Sequence, residues 1–468
     1  MSAPPVAPSL ANSLSRRDVA VLLHPQTDFR AHEEQGALVI ARGEGVRVYD
    51  ENDKEYIEGL AGLWCASLGF SEPRLVEAAR KQMATLPYDH VYSHQTHGPA
   101  VELAETLLGM APNPMSKVFF ACSGSEANDT IVRMIWYYNN ALGRPRKKKM
   151  IARKRAFHGS TGISGSLTGL PHLQADFDLP LPGFLHTTTP HHYRNANEGE
   201  SEEAFATRLA DELEQLIVAE GGAECCAAFI AEPVMGAGGV VVPPRTYFQK
   251  IQAVLERYDM LMIADEVICG FGRTGNMWGC DTYSIRPDFV TVAKALSSAY
   301  MPISGVMTSD KIYQVLADNS KKRGFFGHGF TYSAHPVPAA VALETLRIYQ
   351  ERDMLGHVRR VAPVFQQALK SFADHPLVGE ARGVGLVGAI EVVADKATKR
   401  AFEPAEKVGA RIAKAARQNG LIVRAMGDSI GFSPPLVINE AEVAEMFARF
   451  GKALDEVAAE VRPASKAA

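Results

Sequence analysis

The stretch 261–298, LMIADEVICGFGRTGNMWGCDTYSIRPDFVTVAKALSS, decides how the chain is read. It holds two short apolar runs, LMIAD and FVTVAK, each closed by a single charged residue, Asp265 and Lys294. Short apolar runs bounded by turn residues read as strands buried on both faces, as in a parallel sheet. Ligands of open α/β sheets bind just beyond the carboxyl ends of such strands. The reading therefore places a carboxylate and an amine at one crevice. Burying either charge is costly unless it has a partner, so their placement calls for a reason.

A pyridoxal 5'-phosphate site supplies one. A lysine amine condenses with the cofactor aldehyde, and an aspartate keeps the pyridine nitrogen protonated so that the ring accepts electrons. Taken singly, Asp265 reads as a helix cap and Lys294 as a solvated loop residue. Their surroundings reverse that preference. Asp265-Glu266-Val267, then Gly270-Phe271-Gly272-Arg273 and Gly275, then Asp288 and Ala293-Lys294, resemble the signature of the class III pyridoxal-phosphate aminotransferases. One departure is Ala295, where that family more often has glycine.

Gly270, Gly272 and Gly275 also spell G-x-G-x-x-G. A dinucleotide fingerprint must open an amphipathic helix and have an acid about 20 residues on. NMWGCDTYS shows no helical stripe, and Asp281 and Asp288 come too early, so nicotinamide binding is set aside.

The 468 residues suggest two or three domains. A hydrophobic share of 46% with 22% charged residues is ordinary for a globular chain, and a net charge of −4 gives no reason to expect nucleic acid or an anionic membrane. No apolar run approaches the ~18 residues of a membrane span. SRRDVAVLL hints at a twin-arginine signal at Arg16-Arg17, but its apolar core, Val19 to Leu23, is too short for export. Six cysteines without a C-x-x-C pair form no disulfide framework and fit a cytoplasmic protein. His90, His94 and His97 read as loop and packing residues, with no metal expected. The basic run 144–149 reads as a solvated connection.

From about residue 117 strand-like and helix-like pieces alternate. KVFFAC, KMIARKRAF, AAFIAEP, LMIAD, FVTVAK and ISGVMTS are the strand candidates. Phe205, Leu209, Leu213 and Leu216 mark one intervening helix, which Gly221-Gly222 end. This is an α/β pattern of βαβ units around a mostly parallel sheet. After about residue 333 helices dominate, broken by LVGAIEVV and GLIVRAM, and Asn439 with Glu442 predicts a capping box for the last helix. ALVIARGEGVRVYDENDKEYIEGL reads as hairpin strands turning at Glu51-Asn52-Asp53. The resemblance implies more: fold type I of the pyridoxal-phosphate-dependent transferases, with a large domain on a seven-stranded sheet and a smaller α+β domain built from both chain ends. On that basis the expected limits are a loose arm at 1–23, small-domain pieces at 24–70 and 333–462, the cofactor-binding domain at 71–332, and a tail at 463–468.

The same resemblance assigns the rest of the site. Ser123, Gly124 and Ser125, in SGSEAN, would cradle the phosphate at a helix N-terminus, where free amides and the helix dipole favour an anion. Ser123 or Ser125 could equally be a plain N-cap. Phe157 would stack on the cofactor where relatives most often have Tyr, with His158, Gly159 and Glu232 as further cofactor contacts and Val267 covering the opposite ring face. Thr331, in GHGFTY, would reach the phosphate of a neighbouring subunit, which makes the expected assembly a homodimer with interfacial sites; pairing of dimers into tetramers is left open. Arg424 matches a mobile arginine that clamps a substrate carboxylate through its planar fork. Ala237 stands where glutamate-using relatives carry the Glu that parks this arginine, and Trp64 and Tyr88 match positions at the substrate entrance. The expected function is transfer of an amino group from an ω-amino acid or amine to pyruvate, a ping-pong exchange through pyridoxamine phosphate catalysed by Lys294 and Asp265. The alternatives are 2-oxoglutarate as acceptor, an aminomutase or decarboxylase on the same fold, and a non-catalytic cofactor-binding protein.

Overall fold

The computed structural model describes residues 13–461. Prolines 4, 5 and 8 of the expected loose arm and the tail at 463–468 lie outside the described residues. The described part of that arm is not loose: Ser13 caps a helix, Leu14–Val21, and a second helix, Phe29–Gln35, follows. An N-terminal meander comes next: β1 (Ile40–Glu44), β2 (Arg47–Asp50) and β3 (Glu55–Glu58) pair antiparallel in order. Asp50 builds the second turn itself, its Oδ1 accepting from the amides of Asn52 and Lys54.

The central sheet has seven strands: β4 (Lys117–Ala121), β5 (Lys149–Arg153), β6 (Phe184–Thr187), β7 (Cys226–Ala231), β8 (Leu261–Asp265), β9 (Phe289–Val292) and β10 (Ser304–Thr308). Their order is β4-β10-β9-β8-β7-β5-β6, and β10 alone runs antiparallel to its neighbours. Every residue of β7, β8, β9 and β10 is buried, which is why these strands read as continuous apolar runs. Six of the seven match the strands expected from sequence. The seventh, β6, is an edge strand of four residues whose middle two, Leu185 and His186, are only half-buried, so FLHT lacks the apolar run that marked the others.

Helix Glu202–Ala219 buries Phe205, Leu209 and Leu213 as expected, with Ile217 rather than Leu216 completing the stripe. Gly221, at φ +99°, follows it in a conformation that glycine adopts freely. Helix Gly124–Ala141 starts from a reciprocal capping box between Ser123 and Glu126, which contributes about 1 kcal/mol.

The last third of the chain adds β11 (Val378–Val384), β12 (Val387–Val392), β13 (Leu421–Ile422), β14 (Arg424–Met426) and β15 (Ser429–Phe432). GLIVRAM, read as one strand, is two. Leu421 and Ile422 pair parallel with Ile57 and Glu58 of β3, and Arg424 to Met426 pair antiparallel with β15. The chain thus passes at Val423 from the N-terminal sheet into the sheet β11-β12-β15-β14. Both chain ends are thereby joined, and Arg424 follows the crossing directly. The closing helix Glu440–Val461 carries the expected cap: Asn439 N donates to Glu442 Oε2 at 2.9 Å, and Glu442 N to Asn439 Oδ1 at 3.0 Å.

Candidate active site

Five strands of the large sheet end at one cavity of about 260 Å³. Ser123 to Ser125 follow β4, Phe157 to Gly159 follow β5, Glu232 follows β7, Asp265 ends β8, and Lys294 follows β9. Adjacent parallel strands in register bring these ends together: Ala264 pairs with Val290 and Asp265 with Thr291. This is the crevice that the two apolar runs predict.

Asp265 is buried and held by three donors. Its Oδ2 accepts from His158 Nδ1 at 2.8 Å and from Asn128 Nδ2 at 2.9 Å, and its Oδ1 accepts from Val267 N at 3.2 Å. Thr291 Oγ1 donates to Asn128 Oδ1 at 2.7 Å, which fixes the amide so that its NH₂ faces Asp265 and the carbonyl of His158. The other imidazole nitrogen, His158 Nε2, is buried without a partner among the described residues. Asn128 was overlooked in the sequence. Its only signal there is a polar side chain four residues after Gly124, on the buried face of an otherwise apolar-striped helix.

Lys294 is half-buried, in a left-handed turn at φ +48°, and its ammonium makes no hydrogen bond among the described residues. Burial pushes its pKa down; Asp265, Cys65 and Glu232 oppose this, and the charge of Arg424 adds to it. Glu232 is also buried, and burial raises its carboxyl. Its Oε1 accepts from Phe157 N at 3.2 Å and its Oε2 from Gly236 N at 2.8 Å. Glu232 therefore ties the aromatic residue to the loop 236–240 that carries Ala237.

The cradle at the helix start is open because side chains are missing. A Cβ on Gly124 would lie 3.2 Å from Val267 Cγ2, and one on Gly159, at φ +142°, would meet Ser164 Oγ at 2.2 Å and Ser125 Oγ at 2.6 Å. Ser123 serves as the N-cap, its Oγ accepting from Glu126 N at 3.2 Å, and Ser125 Oγ accepts from Ser160 N at 3.1 Å. The amides of Gly124 and Ser125, at the first turn, have no carbonyl partner within the helix. Both readings of SGSEAN hold together: a cap on Ser123, and free amides beside it for an anion. The site thus offers an anion cradle, a half-buried primary amine, a carboxylate for a protonated ring nitrogen and an aromatic wall. That donor set fits pyridoxal phosphate.

Other expected residues lie outside this cavity. Trp64 is 2% exposed and packs with Leu60, Val234, Val240 and Ile268, and it is Ile268, also missed in the sequence, that lines the cavity. In one chain Trp64 is thus a core residue behind the wall. Ala237 is half-buried in the loop closed by the Met235–Val241 bridge. Arg382 Nε holds that loop by donating to the carbonyls of Gly239 at 3.1 Å and Val240 at 3.0 Å. Tyr88 OH donates to the carbonyl of Thr331 at 2.7 Å, and both residues are exposed. Arg424 is half-buried, burial lowers its pKa, and it makes no ion pair among the described residues. Its Nη2 donates to Gln26 Oε1 at 3.3 Å.

The remaining sequence candidates find structural roles. His97 N-caps helix Gly98–Gly109, accepting from Ala100 N at 3.3 Å. Arg144 and Lys147 of the basic run pair with Asp259, and Arg146 with Glu224. All six cysteines are free thiols. Among the described residues no helix is long and apolar enough to cross a membrane.

Residues 29–454 match the family model for Aminotransferase class-III. The chain is 56% identical over 420 residues to gamma aminobutyrate transaminase 1, mitochondrial, of Solanum lycopersicum, covering 90% of this chain and 81% of that protein. It is 54% identical over 418 residues to gamma-aminobutyrate transaminase 1, mitochondrial, of Oryza sativa subsp. japonica, covering 89% and 81%. Among solved structures it is similar to the omega transaminase from Pseudomonas jessenii in complex with PMP, with a TM-score of 0.95, 54% identity and coverage of 97% and 100%.

Proposed function

The chain belongs to the class-III aminotransferases, enzymes that use pyridoxal phosphate, and within that family we propose that it moves an amino group from an ω-amino acid or amine to pyruvate by a ping-pong exchange. The relatives named as gamma-aminobutyrate transaminases make a short ω-amino acid of that type the first donor to test. One observation carries the acceptor: Arg424 is a half-buried guanidinium with no ion-pair partner among the described residues, poised by a neutral amide. A buried cation without a counter-charge is costly. It suits a site whose counter-charge arrives with the substrate, and one fork binds one carboxylate. Pyruvate has one, whereas 2-oxoglutarate has two.

When bound, pyridoxal phosphate supplies an aldehyde for the amine and a ring that draws in the electron pair left as a substrate proton departs. Gly124, Ser125 and Gly159 would hold its phosphate, and Phe157 and Val267 would flank its ring. Asp265, fixed by His158 and Asn128, would keep the ring nitrogen protonated. Lys294 would take the proton from the substrate carbon that bears the nitrogen and deliver it across that nitrogen to the carbon of the cofactor's former aldehyde. Burial lowers its pKa, so more of the amine is free to accept that proton near neutral pH. Arg424 would orient the acceptor by its carboxylate.

The assembly proposed is a homodimer, with Thr331 reaching the partner's phosphate; the exposed side chains of Phe325 and Tyr332, on the segment that carries Thr331, support this reading. The parallel pairing of β13 with β3 supports a small domain formed by 24–70 and 333–462 around a large domain at 71–332. A reducing compartment such as the cytoplasm is proposed from the free thiols, although the plant relatives are named for organelles. Product analysis with a donor panel against pyruvate and 2-oxoglutarate tests the function. Alanine formed from an ω-amino acid supports it, and carbon dioxide or a rearranged amino acid as the product overturns it.

A further inference from the structure

Gln26, the side-chain partner of Arg424, comes from the other end of the chain. It lies in the turn between helices Leu14–Val21 and Phe29–Gln35, in a left-handed conformation at φ +49°. One carboxylate closes that helical pair. Asp18 Oδ2 accepts from His24 Nε2 at 2.8 Å and from His32 Nε2 at 3.0 Å, and the two rings lie 4.2 Å apart. Asp28 caps the second helix, accepting from the amides of Arg30 and Ala31. The turn is thus pinned on both sides, and Gln26 is aimed from it at the guanidinium.

We propose that Gln26 is a specificity-determining latch: a neutral acceptor that parks Arg424 between carboxylate substrates and yields it to an incoming monocarboxylate. The proposal rests on Arg424 being the carboxylate clamp. At Ala237 the chain has no carboxylate to hold the arginine, and the amide of Gln26 is its one side-chain partner among the described residues. The choice of amide over carboxylate sets the ease of release. Gln26 takes one hydrogen bond of the guanidinium on a neutral oxygen at 3.3 Å, whereas a carboxylate brings the opposite charge and engages the fork with two parallel bonds. Pyruvate therefore displaces Gln26, while an amine without a carboxylate leaves the latch closed.

Gln26 is exposed, so its replacement leaves the core intact. The test uses cofactor-loaded enzyme with Gln26→Glu and Gln26→Ala, measuring kcat and KM for pyruvate, the half-reaction with a carboxylate-free aromatic amine, and calorimetric binding of propionate. In Gln26→Glu the new ion pair should raise the pyruvate KM and the propionate Kd about fivefold. The kcat and the amine half-reaction should stay within about twofold. Gln26→Ala should lower both constants about two- to threefold, because the competitor is gone. Unchanged constants in Gln26→Glu, an equal loss with the amine, or a raised pyruvate KM in Gln26→Ala would overturn the latch. Arg424→Lys separates the two levels. If it weakens pyruvate while Gln26→Glu does nothing, the clamp stands and the latch falls; if it leaves pyruvate unaffected, both fall.

Discussion

His158 Nδ1 stands 2.8 Å from Asp265 Oδ2, and the ring's other nitrogen is buried with no partner among the described residues. The imidazole therefore spends its proton on the aspartate. Together with Asn128 it occupies one carboxylate oxygen and leaves Oδ1 with only the amide of Val267. A carboxylate with one oxygen fixed and one available is what a protonated ring nitrogen requires.

Asp265→Asn should keep the fold and lose on the order of a hundredfold or more in turnover, since a neutral amide cannot hold that proton. His158→Asn should cost less, because Asn128 still orients the carboxylate. Steady-state kinetics on cofactor-saturated variants would check both. Near-normal rates in Asp265→Asn would remove the aspartate from the chemistry.

Lys294→Ala should bind pyridoxal phosphate noncovalently and fail to turn over, because among the described residues no second amine lines the cavity. Borohydride reduction of the wild type followed by peptide mapping should place the label on Lys294. Label on any other lysine would contradict the assignment.

Each of these two residues closes an apolar run, but it was the signature around them, from Asp265-Glu266-Val267 to Ala293-Lys294, that made them legible as a site. The seven-stranded sheet was legible except at β6, where an edge position relaxes the demand for apolar residues at Leu185 and His186. Asn128 was missed because a polar residue on the buried face of a helix does not say whether it faces a site or a polar partner in the core. The contact between Gln26 and Arg424 was out of reach for another reason. It joins residues 398 apart in the chain, and neither lies in a pattern that names the other.

Stability should fall as pH rises through neutrality. Burial raises the Glu58 carboxyl from an ordinary 4.5 to about 7, against the amides of Leu60 and Gly62, and Glu266 is raised to about 7 in the same way. A raised acid favours its protonated form in the fold, so its contribution is complete below about 4.5 and lost as pH passes 7. For Glu58 this is on the order of 3 kcal/mol across the window. Denaturant unfolding at pH 5 and pH 8 should show the decline, with a shallower one in Glu58→Gln. An equally steep decline in the variant would place its origin elsewhere.

Dilution should release cofactor and activity together. If Thr331 completes the partner's phosphate site, each bound cofactor stabilises the dimer by linkage. Thr331→Ala should weaken cofactor retention, and mass photometry across concentrations would follow the assembly. A fully active monomer would refute the shared site.

Single-turnover spectroscopy of the bound cofactor tests the central claim most directly. An ω-amino acid or amine donor should bleach the aldehyde absorbance, and pyruvate should restore it faster than 2-oxoglutarate does, with Arg424→Lys slowing the return by pyruvate far more than the bleaching by a carboxylate-free amine. Faster return with 2-oxoglutarate, or equal slowing of both half-reactions, would contradict the account.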